Sequence, residues 1–115
     1  MTRTVVVTGL GATTPLGGDV ATTWDSLLAA RSGTHLLSDP KFAELPVRIA
    51  GSAKVDPESI LEPHEVRRMD RSQQLALIAA REAWADAGAP QMDQGRLGVV
   101  VGSGVGGAIS LMEQY

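Results

Sequence analysis

The pattern of apolar and polar positions along the chain predicts short strands and amphipathic helices separated by glycine-rich loops. Thr4 to Thr8 is a β-branched run closed by Gly9, and it reads as a buried strand. Between Gly9 and Gly18, four glycines and Pro15 exclude regular structure and mark a tight, folded loop. Asp19 is placed to cap a helix reaching about Arg31, with Val20, Trp24, Leu27 and Leu28 at helical spacing and Ser32-Gly33 as its stop. Residues 34–45 read as irregular, with Asp39-Pro40 as a turn signal, and Pro46 to Ala50 alternates like a strand with one wet face or an edge strand. Asp56-Pro57 opens a further loop, followed by a short helical turn over about 57–61.

The clearest helix runs from Asp70 to Ala87. Asp70 followed three residues later by Gln73 forms a capping-box pattern, Gly88 stands at the C′ position, and Pro90 follows. Leu75, Ala76, Ile78, Ala79, Ala80, Ala83, Trp84 and Ala87 give it an apolar surface wider than one stripe, which predicts cover on more than one side. Leu97 to Val101 reads as a second buried strand, ending in Gly102-Ser103-Gly104-Val105-Gly106-Gly107, where a helix begins and continues through Tyr115. The order β-loop-α-β-α-α-β-glycine loop-α belongs to the α/β class. No internal repeat is evident, and the unclosed final helix marks the chain as an expected fragment of a larger domain.

Composition narrows the function classes. Hydrophobic residues are 43% and charged residues 20%, an ordinary globular balance that argues against disorder. Aromatics are 3% among abundant alanine and glycine, favouring close backbone packing over an aromatic binding surface. A formal net charge of −3 argues against wholesale nucleic-acid binding. With no cysteine, these residues hold neither a disulfide nor a thiol nucleophile. No apolar run approaches the ~20 residues that span a bilayer, and the opening Met1-Thr2-Arg3-Thr4 lacks signal-peptide character. A cytoplasmic protein without membrane attachment is the expectation.

Three motifs bear on chemistry. Gly102, Gly104 and Gly107 satisfy the G-x-G-x-x-G dinucleotide pattern between a strand and a helix, yet the pattern alone is weak. Its confirming acidic residue would fall about 20 positions later, beyond Tyr115. Glycines that let the backbone pass close to a neighbour are the plainer reading. Gly9-Leu10-Gly11 fails the same pattern, since Thr14 stands at the third glycine and Pro15 follows. Third, His64, Arg67, Arg68 and Arg71 gather within eight residues of an acidic chain. On one helix Arg67 and Arg68 would point about 100° apart, with Arg71 one turn from both. Either a solvated helix entrance balanced by Glu62, Glu65 and Asp70 or a docking patch for an acidic partner fits. His35 and His64 lack metal-ligand spacing, and the hydroxyl pairs Thr13-Thr14 and Thr22-Thr23 have no base nearby in sequence.

Four segments then resemble one family in order. Val5-Val6-Val7-Thr8-Gly9-Leu10-Gly11 continuing to Thr14-Pro15-Leu16-Gly17 resembles the opening of β-ketoacyl synthases. Thr23-Trp24 with Leu27-Leu28 and Ser32-Gly33 resembles their first helix and its exit, Arg67-Arg68-Met69-Asp70-Arg71 the basic stretch before their long helix, and Gly102 to Gly107 their glycine loop. The chain is most similar to the elongating synthases of bacterial type II fatty-acid synthesis. The resemblance implies a thiolase-like fold of two α/β halves in five layers, with residues 1–115 forming part of the N-terminal half, and usually a homodimer. It implies decarboxylative condensation of malonyl-acyl carrier protein with an acyl group held on a cysteine, and it implies no cofactor. The family's cysteine and two histidines match nothing here, so no catalytic residue is expected in this chain. Val105, flanked by Gly104 and Gly106, falls where the family lines its acyl pocket. His64, Arg67 and Arg68 match basic positions that meet the acidic carrier protein, with His64 standing where a lysine is common. A polyketide ketosynthase, a cysteine-less chain-length subunit and, from another class, a nucleotide-dependent reductase are the alternatives.

Overall fold

The computed structural model describes residues 2–114. Met1 and Tyr115, the last residue of the predicted final helix, lie outside the described residues. Four α-helices occur among them: α1 (Val20–Leu28), α2 (Pro63–Arg68), α3 (Arg71–Asp86) and α4 (Ala108–Glu113). The described sheet is one antiparallel pair, β1 (His35–Leu36) with β2 (Ile49–Ala50), in which His35 faces Ala50 and Leu36 faces Ile49. Two compact units result, one of residues 12–55 and one of residues 1–11 with 56–115.

In the first unit, Asp19 caps α1 as predicted, accepting hydrogen bonds from the Thr22 backbone N–H at 2.7 Å and the Thr22 hydroxyl at 2.7 Å. The helix ends earlier than expected, at Leu28, through a Schellman closure in which Ala30 N–H bonds Leu27 O and Arg31 N–H bonds Ser26 O. That closure forces Ala30 into a left-handed φ of 50°. The helical spacing of Trp24, Leu27 and Leu28 is right, but these side chains are exposed. The buried position is Ser26, whose hydroxyl donates to Leu16 O at 3.0 Å. Thr14, which carried no assigned role, organises the loop. Its hydroxyl oxygen accepts from the Leu16 and Gly17 N–H groups at 3.0 and 3.1 Å and lies 3.0 Å from the Thr23 hydroxyl. The strand predicted over 46–50 contracts to Ile49–Ala50, and 34–45 contains β1 and a 3₁₀ turn at Pro40–Phe42.

The second unit is organised on α3. Its capping box is present: Asp70 Oδ1 accepts from the Ser72 and Gln73 N–H groups, and Gln73 Oε1 accepts from Asp70 N–H. The far end closes on Gly88 at φ 78°, with Gly88 N–H bonded to Ala85 O and Ala89 N–H to Trp84 O. The expected wide cover is met only in part: Ala80 and Trp84 stay exposed, while Ile78 is buried and the Ala79–Ala83 side is closely covered. A Cβ on Gly9 or Gly11 would overlap the carbonyl oxygen of Ala83 or Ala79, so only glycine lets the N-terminal segment lie this close to the helix backbone. Leu10 N–H donates to Asp86 at 2.9 Å, and the 3₁₀ turn Pro57–Ser59 packs against both α2 and α3. Pro57, Leu61, Gln74 and Ile78 are buried.

Two predicted strands are corrected. Thr4–Thr8 and Leu97–Val101 carry no regular secondary structure and no ladder partners among the described residues, and Val5 and Val100 are 93% and 97% exposed. Their β-branched pattern encodes burial on both faces within a sheet, and a strand acquires its hydrogen bonds and its cover only from neighbouring strands and layers. The described residues thus show the helices of an α/β arrangement with little of its sheet.

Candidate functional site

The basic cluster is built by a helix break. Pro63 opens α2, where its missing N–H costs nothing, and Glu62 N–H donates to Glu65 at 3.2 Å. Met69 takes extended φ and ψ of −122° and 142°, so α3 starts afresh at Arg71. Arg71 therefore does not continue the face of Arg67 and Arg68, which corrects the single-helix expectation. The corner is held by Gln74, a residue the sequence did not flag. Its buried amide donates to Val66 O at 3.0 Å and Met69 O at 2.8 Å, satisfying carbonyls that the break leaves open.

Within α2, His64, Arg67 and Arg68 stand three and four residues apart, which places them on one exposed face. Two of the three acids expected to balance them, Glu65 and Asp70, are engaged elsewhere. Glu65 pairs with Arg81 on α3 at 2.6 and 3.2 Å, and the Arg81 side chain is the first cause holding its carboxyl below the usual range. Asp70 is occupied by Ser72 and Gln73. Among the described residues neither Arg67 nor Arg68 meets a carboxylate within ion-pair distance. Two cations on one outward helix face, with Glu65 and Asp70 engaged on the scaffold, make a surface that attracts an acidic partner.

The glycine loop is the second feature. Ser103 Oγ accepts from Gly106 N–H at 2.8 Å, closing a turn with Gly106 at φ 59°. Val105 at its apex is 85% exposed, and Gly104 has open space around it. Gly106 and Gly107 line a cavity of about 600 Å³ whose apolar wall includes Leu77 and Ala80 of α3 with Val99 and Val101. Val105 and Gly104 do not line it. Asp70 and Ser103 stand at the polar end. This polar end speaks against a dinucleotide there. The Gly106 N–H is bonded by Ser103, and the Asp70 carboxylate, which stands beside Gly107, would repel a phosphate at the start of α4.

His35 lies exposed in β1 and His64 exposed on α2, and no metal-holding cluster of His, Cys, Asp or Glu occurs among the described residues. Among them, too, no helix is long and apolar enough to cross a membrane.

Against known proteins, residues 2–115 match the family model "Beta-ketoacyl synthase, N-terminal domain". The chain is 42% identical over 113 residues to the 3-oxoacyl-[acyl-carrier-protein] synthase 2 of Mycobacterium leprae, covering 96% of this chain and 27% of that protein. It is 36% identical over 116 residues to the protein of the same name from Coxiella burnetii, covering 98% and 28%. It is 41% identical over 120 residues to a protein of Streptomyces violaceoruber named for a granaticin polyketide β-ketoacyl synthase, covering 100% and 28%. The chain thus spans just over a quarter of the length of the curated relatives it matches. Matched across nearly every residue, this chain belongs to the β-ketoacyl synthase family through that family's N-terminal domain.

Proposed function

We propose that the chain is the front portion of an elongating condensing enzyme of fatty-acid synthesis, acting on acyl and malonyl thioesters of acyl carrier protein. The observation that carries this reading is the match over residues 2–115, together with 36–42% identity to proteins named 3-oxoacyl-[acyl-carrier-protein] synthase 2. In the proposed reaction an acyl group passes from the carrier-protein thioester to an enzyme cysteine, releasing the carrier thiol. Malonyl-carrier protein then loses carbon dioxide. The electron pair left on carbon attacks the acyl thioester, a carbon–carbon bond forms, and the cysteine thiolate leaves. Residues 1–115 hold no cysteine, so the reading places the nucleophile and its histidines in a part of the domain that continues beyond residue 115, in a five-layer thiolase-like homodimer located in the cytoplasm.

Within this reading His64, Arg67 and Arg68 receive the acidic carrier protein, and the Gly104-Val105-Gly106 turn borders the acyl chain. That neither arginine meets a carboxylate among the described residues supports the first assignment, and the apolar wall beside Gly106 supports the second. A polyketide ketosynthase is the second reading, favoured by the 41% identity to the granaticin relative. The deciding experiment incubates the full-length protein with malonyl- and acyl-carrier proteins of fatty-acid type. Carbon dioxide release coupled to a β-ketoacyl product, abolished by a cysteine-directed condensing-enzyme inhibitor, is expected. No product with any saturated acyl primer, but turnover with poly-β-keto intermediates, would move the assignment to the polyketide reading.

A further inference from the structure

Arg81 lies on α3, outside the basic cluster, but it is bound to the cluster's helix. It follows the buried Gln74 and Ile78 at helical spacing, so it projects from the same side of α3 as the amide that serves Val66 and Met69. Two bonds join it to Glu65: Nη2 donates to Oε1 at 2.6 Å and Nη1 to Oε2 at 3.2 Å. A guanidinium grips a carboxylate most firmly in this two-pronged way. Glu65 Oε2 also accepts from Glu62 N–H at 3.2 Å, which fixes the side chain from its own helix. The Glu65 side chain is 16% exposed against 52% for Arg81, so the carboxylate is drawn in towards α3 and does not stand out among the cations of α2.

Its alternative partner is one turn away. Arg68 stands three positions after Glu65 within α2, the spacing at which a glutamate and an arginine pair on a helix surface. Arg67, two positions on, does not face Glu65, and Glu62 precedes both arginines by more than one turn. Glu65 is therefore the acid within α2 that is placed to cancel Arg68.

We infer that Arg81 is a positioning residue that holds the Glu65 carboxylate on α3 and thereby keeps Arg68 free to meet an acidic partner. The consequence for carrier-protein encounter rests on the docking reading proposed above; the withdrawal of Glu65 does not. Without Arg81, the released carboxylate would turn to Arg68 and lower the charge of the docking face, although no residue of that face had been altered.

The test uses the full-length enzyme carrying Arg81→Met, Glu65→Gln, the two together and, as the docking reference, Arg67→Glu with Arg68→Glu. The Glu65→Gln amide oxygen still accepts from Glu62 N–H, so the change removes charge and leaves the first turn of α2 intact. Phenylglyoxal labelling, mapped by peptide mass spectrometry, compares Arg68 with Arg67, because a carboxylate partner holds a guanidinium protonated and slows its attack on the reagent. KM for carrier-protein substrates is compared with kcat and with KM for small thioesters, which general damage would alter together. For Arg81→Met, several-fold slower labelling of Arg68 and a several-fold higher KM for carrier-protein substrates alone are expected, both restored in the double variant. Unchanged labelling in Arg81→Met overturns the withdrawal of Glu65. A rise in KM that persists in the double variant overturns the route through Glu65 and makes Arg81 a direct contact or a structural residue. Slower labelling with an unchanged KM, while the docking reference raises KM, overturns the link to encounter. If the reference also leaves KM unchanged, the docking reading is what falls, and the restored labelling still upholds the withdrawal.

Discussion

Gln74 and Thr14 show how much of this structure rests on single polar side chains inside loops and corners. Gln74 answers the two carbonyls, Val66 O and Met69 O, that the break between α2 and α3 exposes. Replacing it with methionine keeps the volume but leaves those buried acceptors unpaired. A loss of about 1–3 kcal/mol is expected in denaturant unfolding, against a near-neutral result if water serves them equally well. Arg67 and Arg68 belong to the same scale, and their environment decides their use. Reversing both to glutamate should raise KM for carrier-protein substrates well above the change seen with small thioesters, because the altered charge opposes encounter and leaves the reacting centre alone. An equal loss on both substrate types would remove the docking role.

At the level of elements, both long helices end in the same closure with different residues. α3 uses Gly88 at the left-handed position, as its sequence announces, whereas α1 uses Ala30 at φ 50°. Alanine there carries the Cβ–carbonyl crowding that glycine avoids. Ala30→Gly is expected to raise stability by roughly 1 kcal/mol, read as a higher urea midpoint. An unchanged or lower midpoint would mean that the closure has relaxed to accommodate the methyl group. The early end of α1 escapes a sequence reading because Ser32-Gly33 is the more obvious stop. Hydrogen bonds from Ala30 and Arg31 back to Leu27 and Ser26 end the helix first. The break between α2 and α3 is likewise hidden, since Arg67 to Arg71 contains no proline or glycine.

For the whole molecule, acid sensitivity follows from four carboxylates held below their ordinary values. Asp19 is lowered first by the Thr22 hydroxyl, Asp39 by Lys41, Glu65 by Arg81 and Asp70 by the Ser72 hydroxyl. A depressed folded pKa contributes stability that is present above the unfolded value and lost as pH falls through the folded one. The ordinary values are 4.5 for Glu65 and 3.8 for the aspartates, so the thermal midpoint should be flat through neutrality and fall as the pH drops from the upper edge of that range downward.

The capping signals of α1 and α3, the glycine loop and the basic cluster could be read from residues alone, because each depends on neighbours within a few positions of the chain. Family membership was legible for the same reason, carried by four local motifs in order. Other features depended on partners far along the chain, and only the tertiary structure decided them. The strands of Val5–Val7 and Val99–Val101 required ladders that local pattern cannot supply, and the buried face of α1 fell on Ser26 while Trp24 stayed exposed. The pairing of Glu65 with Arg81, 16 residues away, released Arg67 and Arg68 from internal neutralisation. Local sequence sets what each segment can become, since backbone dihedrals and caps are satisfied within a turn; which side chains remain free to act is set by long-range pairing, which no local window contains.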